Sequence, residues 1–216
     1  NESVWGGGLS IAVYSSPIIR DVEIFNNDVS QGGAGVYIGI YASPYFESVY
    51  IHHNIALAGG GLFLHDHATP TFNKVTVKGN RGSNGGGGML TNHASKAKIV
   101  NSIFHGNIPD QFYLMYFDVD NLPDTVSIAY SNIIGGVVGM HMGIGHVDWL
   151  EGNLSSNPDF SMDDHLSPGS PCIDAGTDFF AFEGETWVDM GTDEYVGDAP
   201  DMGSYEVPAP AILHVP

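Results

Sequence analysis

A repeat of 26 or 27 residues is the feature that most restricts how this chain can fold. One marker of the repeat is an asparagine that recurs at intervals of 27, 26 and 27 residues: Asn27, Asn54, Asn80 and Asn107. Glycine clusters recur with the same intervals, at residues 6–8, 33–35, 59–61 and 86–88. Because independent markers share one period, each period corresponds to one structural unit that stacks on the next.

The segments between these markers have the pattern of short strands. After the second glycine cluster, Val36, Ile38 and Ile40 alternate with other residues, which is typical of a strand with one buried face. Glycine occurs 29 times among 216 residues, and no long amphipathic stretch favours a helix. The sequence therefore predicts an all-β right-handed parallel β-helix over residues 1–157. Its period breaks at residues 108–125, for which we predict an inserted loop that protrudes from the solenoid.

The asparagine column is predicted to be structural. Asparagines that lie over one another on stacked coils can exchange amide hydrogen bonds, forming a ladder along the axis. Glycine, and to a lesser degree asparagine, can also adopt the positive φ that a sharp corner requires. We therefore assign Asn27, Asn54, Asn80 and Asn107 to a structural ladder at one corner.

Two segments carry a family resemblance. The run NSIFHGN at residues 101–107 and the run LSPGSPCIDAG at residues 166–176 resemble secreted bacterial parallel β-helix repeat proteins of the broad pectin-lyase-like fold. The resemblance implies export to the cell surface or medium and an irregular acidic C-terminal closing module at 158–206, before an extended linker at 207–216. It implies no single activity, because such proteins include polysaccharide lyases, hydrolases and adhesins.

Charge is distributed very unevenly along the chain. The net charge is −19, yet residues 1–107 contain six acidic and all six basic residues, so the other nineteen acidic residues fall in 108–216. Such an acidic half disfavours binding to nucleic acid or anionic membranes, and no apolar run is long enough to predict a membrane span. Calcium or a basic partner is the predicted counter-charge, and simple solubility of a secreted protein is the alternative. The candidate calcium ligands are Asp118, Asp120, Asp124, Asp189, Asp193, Glu194 and Asp201.

Aromatic residues at exterior positions suggest a surface for polysaccharides. Aromatic rings can stack against sugar rings, and the candidate residues for this role are Tyr14, Tyr41, Tyr113 and Tyr116. The alternative is ordinary packing of aromatic side chains along a ladder.

Catalysis is not supported by the four clear coils. Lyases of this fold need clustered carboxylates for calcium and a basic residue for proton abstraction, and hydrolases need carboxylates that face each other across a groove. We find neither set, and interpret the chain as a noncatalytic structural, adhesive or glycan-binding module of a bacterial surface protein. A polysaccharide lyase or glycoside hydrolase is the alternative.

The first coil lacks the amphipathic cap that usually closes a solenoid. Its strands are expected to expose unpaired backbone groups, so that either further coils or another molecule would complete the pairing. A second copy bound head to tail would form a fibre.

Overall fold

A computed structural model describes residues 3–115 and 122–208. In these two ranges the chain forms 18 strands and one short 3-10 helix, Val137–Gly139. The strands of the first coils are β1 (Leu9–Ile11), β2 (Ile18–Arg20), β3 (Glu23–Phe25), β4 (Val36–Gly39), β5 (Tyr45–His52), β6 (Ile55–Ala56), β7 (Leu62–His65), β8 (Thr71–Lys78) and β9 (Arg81–Gly82). The later strands are β10 (Met89–Thr91), β11 (Lys96–Val100), β12 (Ile103–His105), β13 (Phe112–Leu114), β14 (Thr125–Ala129), β15 (Asn132–Ile133), β16 (His146–Trp149), β17 (Phe179–Phe182) and β18 (Glu185–Asp189).

Parallel pairing between successive coils builds the fold. One sheet has the strand order β1-β4-β7-β10-β13, and a second, nine-stranded sheet pairs β2 and β3 with β5, β5 with β8, and β8 with β11 and β12. The register is that of the repeat, with Val36 opposite both Leu9 and Leu62. The predicted all-β parallel solenoid is therefore confirmed.

The core lies inside the coils, where like residues stack on one another. Phe46 and Phe72 are fully buried, with ring centroids 5.1 Å apart, and Ile38 lies in register with Leu64. Stacking removes these apolar side chains from water, and each Å² of apolar surface buried stabilises the fold by about 25 cal/mol. A single coil could not achieve this, which is why the repeat must be stacked to be stable.

Corners form where residues with positive φ recur at the same place in successive coils. One such column follows β2 and β11 and lies within β5 and β8, so that the nine-stranded sheet bends there. Its φ values are 54°, 53°, 54° and 50°, at Asp21, Ser48, Lys74 and Asn101. At the Asn corner the positive φ belongs to the residue before each ladder asparagine: Asn26, His53, Gly79 and Gly106. The expectation that the ladder asparagines themselves adopt positive φ is therefore wrong, because the bend is completed one residue earlier.

Part of segment 108–125 belongs to the solenoid. Phe112, Tyr113 and Leu114 form β13 and pair with Met89, Leu90 and Thr91 of β10. The prediction of a protruding loop is wrong for these residues. It failed because this coil lacks the glycine cluster and the asparagine that mark the earlier ones.

The C-terminal segment, defined here as residues 158–208, lies along the outer face of the nine-stranded sheet. The backbone N–H of Gly203 donates to the carbonyl of Asn101 at 2.8 Å, and that of Ser204 donates to Thr76 Oγ1 at 2.9 Å. Met202 and Cys172 pack on Ile103 of β12 in a buried apolar cluster. The sequence predicted a closing module here, and in the structure this segment covers a side of the solenoid.

Ion pairs join the two regions. Lys74 Nζ lies 2.5 Å from Glu206, Lys78 pairs with Asp164, and Lys98 pairs with Glu185. Each pair joins a solenoid lysine to a carboxylate of the C-terminal segment. The chain's own lysines thus supply part of the counter-charge for its acidic half.

Candidate functional site

The predicted asparagine ladder is a continuous chain of side-chain amides. Asn27 Nδ2 donates to Asn54 Oδ1 at 2.9 Å, Asn54 Nδ2 to Asn80 Oδ1 at 2.9 Å, and Asn80 Nδ2 to Asn107 Oδ1 at 3.0 Å. Each accepting oxygen also receives the backbone N–H of the preceding asparagine in the ladder. The side-chain amides of Asn54 and Asn80 have both their oxygen and their nitrogen engaged by protein groups, which supports a structural role.

The two ends of the ladder differ. Asn107 Nδ2 donates to Gln111 Oε1 at 2.6 Å, which closes the ladder toward the later coils. At the first coil, Asn27 Oδ1 accepts no hydrogen bond from any residue that the structure describes. Head-to-tail self-association stays a prediction.

The tyrosines predicted to bind glycans stack on one another. The rings of Tyr14 and Tyr41 lie 5.2 Å apart at 10°, and those of Tyr41 and His67 lie 4.6 Å apart at 14°. Tyr113 stacks on His141 in the same way, at 4.2 Å and 1°. Tyr41 is therefore stacked between two rings, whereas Tyr14 contacts one ring and is 72% exposed, and glycan binding by these tyrosines stays a prediction. Tyr116 lies outside the described residues.

The predicted calcium ligands do not converge in the described ranges. Asp201 is 1% exposed, and its two carboxylate oxygens accept the backbone N–H groups of Asp174 and Val207. Asp124 is buried and accepts the backbone N–H of Ser95 at 2.9 Å. No group of three or more metal-ligating side chains occurs in 3–115 and 122–208.

The remaining predicted ligands are exposed or fall outside the described residues. Asp189, Asp193 and Glu194 are exposed, and Glu194 accepts the backbone N–H of Gly191 at 2.6 Å. Asp118 and Asp120 are outside the described residues. Calcium binding by the acidic half stays a prediction.

A surface groove of about 630 Å³ lies between the nine-stranded sheet and the β17–β18 hairpin. Two outward columns of the sheet form its floor, and both cross several coils. In one column Lys96 lies in register with Thr125 and His146, and in the other Lys98 lies in register with Ser127 and Asp148. Ser43 and Thr69 extend the floor toward the earlier coils.

The hairpin supplies the wall of the groove. Its lining residues are Phe182, Glu183, Glu185 and Trp187. Trp187 is held in place by an apolar cluster with Val100 and Phe180, so the wall is anchored to the solenoid rather than attached only by its ends.

Most charged groups of the groove are paired within it. Asp148 accepts Ser127 Oγ at 2.7 Å and lies 2.9 Å from His146 Nε2, while Lys98 pairs with Glu185. Lys96 on the floor and Glu183 on the wall are exposed, and neither forms an ion pair with any residue in the described ranges. The groove thus offers hydroxyl groups, one available cation and one available carboxylate.

A second polar cluster lies nearer the first coil. His52 Nε2 lies 2.7 Å from Glu23 Oε1, and its Nδ1 lies 2.7 Å from His53 Nδ1, so both ring nitrogens already have partners. Burial lowers the pKa of His52, and the nearby Glu23 carboxylate only partly offsets this. These two contacts hold the His52 ring between the side chains of Glu23 and His53.

Tyr50 and Asp164 form the other half of this cluster. Tyr50 donates its hydroxyl to Asp164 Oδ2 at 2.7 Å, and Lys78 also pairs with that carboxylate. Burial and this hydrogen bond raise the pKa of Tyr50, which keeps its hydroxyl protonated. The contact joins the solenoid to the C-terminal segment.

Sequence reasoning missed the groove because its two sides are distant in the chain. The floor could have been found, since Lys96 and Lys98 alternate on a strand whose outward positions carry hydroxyl groups in the neighbouring coils. The hairpin wall follows no repeat, and nothing in the sequence indicates where it docks.

Comparison with known proteins agrees with this architecture. The family described as right handed beta helix region matches residues 2–143. No curated protein and no solved structure gives a match. Among the described residues, no helix is long and apolar enough to cross a membrane. The family match covers more than half of the chain and coincides with its stacked coils, so the chain belongs to the right-handed β-helix family.

Proposed function

We propose that this chain is a noncatalytic extracellular module of a bacterial surface protein, structural or adhesive, that binds glycans on its outer face. The observation that carries the proposal is the groove between the nine-stranded sheet and the β17–β18 hairpin. Its floor offers the hydroxyl groups of Ser43, Thr69 and Thr125, whereas that of Ser127 is buried and donates to Asp148, and its wall contains aromatic side chains. A concave site with a few convergent polar groups beside aromatic residues suits a sugar chain.

The pairing of charged groups favours binding over catalysis. Asp148 is engaged by Ser127 and His146, and Glu185 by Lys98. A general acid or base must be able to reach the proton that it transfers, and these carboxylates are directed at protein partners instead.

The test is a binding assay in which the groove is filled. We expect a panel of linear oligosaccharides, followed by isothermal titration calorimetry, to include ligands that bind the native chain. Thr125→Trp, on the floor next to Lys96, should abolish their binding, whereas Thr192→Trp in an exposed turn of the C-terminal segment should not. If both variants bind like the native chain, the groove is not the site.

A polysaccharide lyase or glycoside hydrolase is the second candidate. It is favoured by one observation, the presence of carboxylates on both sides of the groove, with Asp148 on the floor and Glu183 on the wall. Incubation with uronate polymers and neutral polysaccharides, with and without calcium, would reveal unsaturated ends or new reducing ends. If the native chain forms either product and Thr125→Trp does not, the chain is an enzyme that acts in this groove, and the noncatalytic proposal fails.

A further inference from the structure

We propose that the groove recognises an acidic linear glycan, and that Lys96 is the residue that binds its anionic group. This inference rests on the proposed function and concerns the same groove. The shared chemistry is a carboxylate or sulfate group on a sugar chain that is otherwise rich in hydroxyl groups. Recognition would be direct, through the Lys96 ammonium group.

The first argument is the pairing of the basic residues. The chain has only six Lys and Arg residues against 25 acidic ones. Four of the six form ion pairs with carboxylates: Arg20, Lys74, Lys78 and Lys98. Within the described ranges, Lys96 and Arg81 form none, and only Lys96 lines the groove. In so acidic a chain, a lysine that forms no ion pair within the described ranges and lines a groove is available for an anion from outside.

The second argument is the wall opposite Lys96. Glu183 lies at the turn of the hairpin, lines the groove and is exposed. A carboxylate accepts hydrogen bonds and repels anions, so this side suits the hydroxyl groups of a sugar. A ligand that satisfies both sides presents an anionic group to the floor and hydroxyl donors to the wall, as an acidic sugar can.

The third argument is the length of the floor. The column that contains Lys96 also includes Ser43, Thr69, Thr125 and His146, each from a different coil. Neighbouring coils lie about 4.8 Å apart, so the five positions span about 19 Å along the axis. A linear chain of several sugars that lies parallel to the axis would meet one floor position from each coil, whereas a single sugar would use only a fraction of the groove.

The experiment compares Lys96→Gln with Arg81→Gln. Both substitutions remove one positive charge from an exposed, unpaired residue, but Arg81 lies outside the groove. The probes are a tetramer of galacturonic acid, the same tetramer as its methyl ester, a sulfated tetrasaccharide and a neutral cello-tetraose, each titrated into the full chain by calorimetry.

We expect acidic probes to bind more tightly than the methyl ester, and Lys96→Gln to weaken them by about tenfold, as for loss of a charge-assisted hydrogen bond. Arg81→Gln should leave binding within about twofold, because a charge outside the groove is screened by salt. Added sodium chloride should weaken acidic probes less in Lys96→Gln than in the native chain. The carboxylate and sulfate probes identify which anion is preferred.

Two outcomes separate the inference from the proposed function. If acidic and neutral probes bind equally, and Lys96→Gln has no effect while Thr125→Trp abolishes binding, the inference fails and glycan binding stands. If no probe binds the native chain, both fail. Equal loss in Lys96→Gln and Arg81→Gln would also overturn the inference, because it would indicate a general charge effect.

Discussion

The stacked coils and the C-terminal segment are held together in different ways. In the first coils, the paired residues are 26 or 27 positions apart, as in the pairs Asn54–Asn80 and Asn80–Asn107. The C-terminal segment depends on contacts between distant parts of the chain, such as Ser204 with Thr76, which are 128 residues apart. The coils repeat the same contacts from one turn to the next, whereas each contact of the C-terminal segment occurs once.

This difference determines how far the effect of a substitution on stability should extend through the molecule. A ladder residue in the middle of the solenoid touches the coils on both sides, so its loss affects the stacking on which every coil depends. A residue of the C-terminal segment supports only the docking of that segment. We therefore expect global destabilisation from changes in the coils and local opening from changes in the segment.

The largest effect is expected for Asn80→Ala. Asn80 is fully buried, its Nδ2 donates to Ile51 O and Asn107 Oδ1, and its Oδ1 accepts from Asn54. Removing the amide leaves buried groups without partners, and we expect the free energy of unfolding to fall by about 3–5 kcal/mol.

Asn27→Ala is the matched control for this prediction. Asn27 is only partly buried and has a ladder neighbour on one side alone, so its loss should cost about 1 kcal/mol. Urea denaturation followed by circular dichroism measures both variants. Equal losses would mean that the ladder does not act through buried partners on both sides.

Met202→Ala should have the next largest effect, confined to the C-terminal segment. Met202 is 1% exposed and packs with Ile103, Leu166 and Cys172. Its truncation should cost about 2–3 kcal/mol of docking free energy. Hydrogen exchange should accelerate in residues 158–208 and stay slow in the strands of the first coils. Faster exchange throughout the coils would show that segment and solenoid unfold as one unit.

The sequence predicts the coils well and the segment poorly, for a physical reason. The backbone returns to the same place in each coil, so the residues that form a corner recur in the sequence. The spacing of Asn27, Asn54 and Asn80 therefore predicts that they stack on one another. β13 was missed because no glycine cluster precedes it, and Gln111 lies at the position that Gly88 takes in the preceding coil. The groove required knowing that Trp187 packs near Val100, and no periodicity encodes a contact that occurs once.

Asp164→Asn should have a smaller and pH-dependent effect. Burial alone would raise the pKa of Asp164, but hydrogen bonds from Lys78 and Tyr50 outweigh burial and lower it. A depressed carboxyl pKa stabilises the fold above the pKa of the unfolded chain, and this contribution is lost as pH falls through the folded pKa.

The native chain should therefore be more stable than Asp164→Asn by about 1 kcal/mol at neutral pH, since the ion pair with Lys78 is partly exposed. The difference should shrink as pH falls below the ordinary aspartate range and through the lowered pKa of folded Asp164. Asp110 and Asp201, whose pKa values burial raises, are present in both proteins and cancel from the comparison. Urea denaturation at several pH values measures this difference in the free energy of unfolding. A difference that does not change with pH would contradict the lowered pKa of Asp164.

The smallest effect concerns histidines at two places in the molecule. Burial lowers the pKa of His65, on the five-stranded sheet, and of His105, whose ring lies against Phe160 of the C-terminal segment. The unfolded chain then binds more protons than the folded one below the ordinary histidine pKa of 6.5, so stability should fall as pH drops through that range. His65→Gln should reduce this slope in global unfolding, whereas His105→Gln should reduce it mainly in the hydrogen exchange of residues 158–208. If both variants change the same observable equally, the coils and the segment do not open separately.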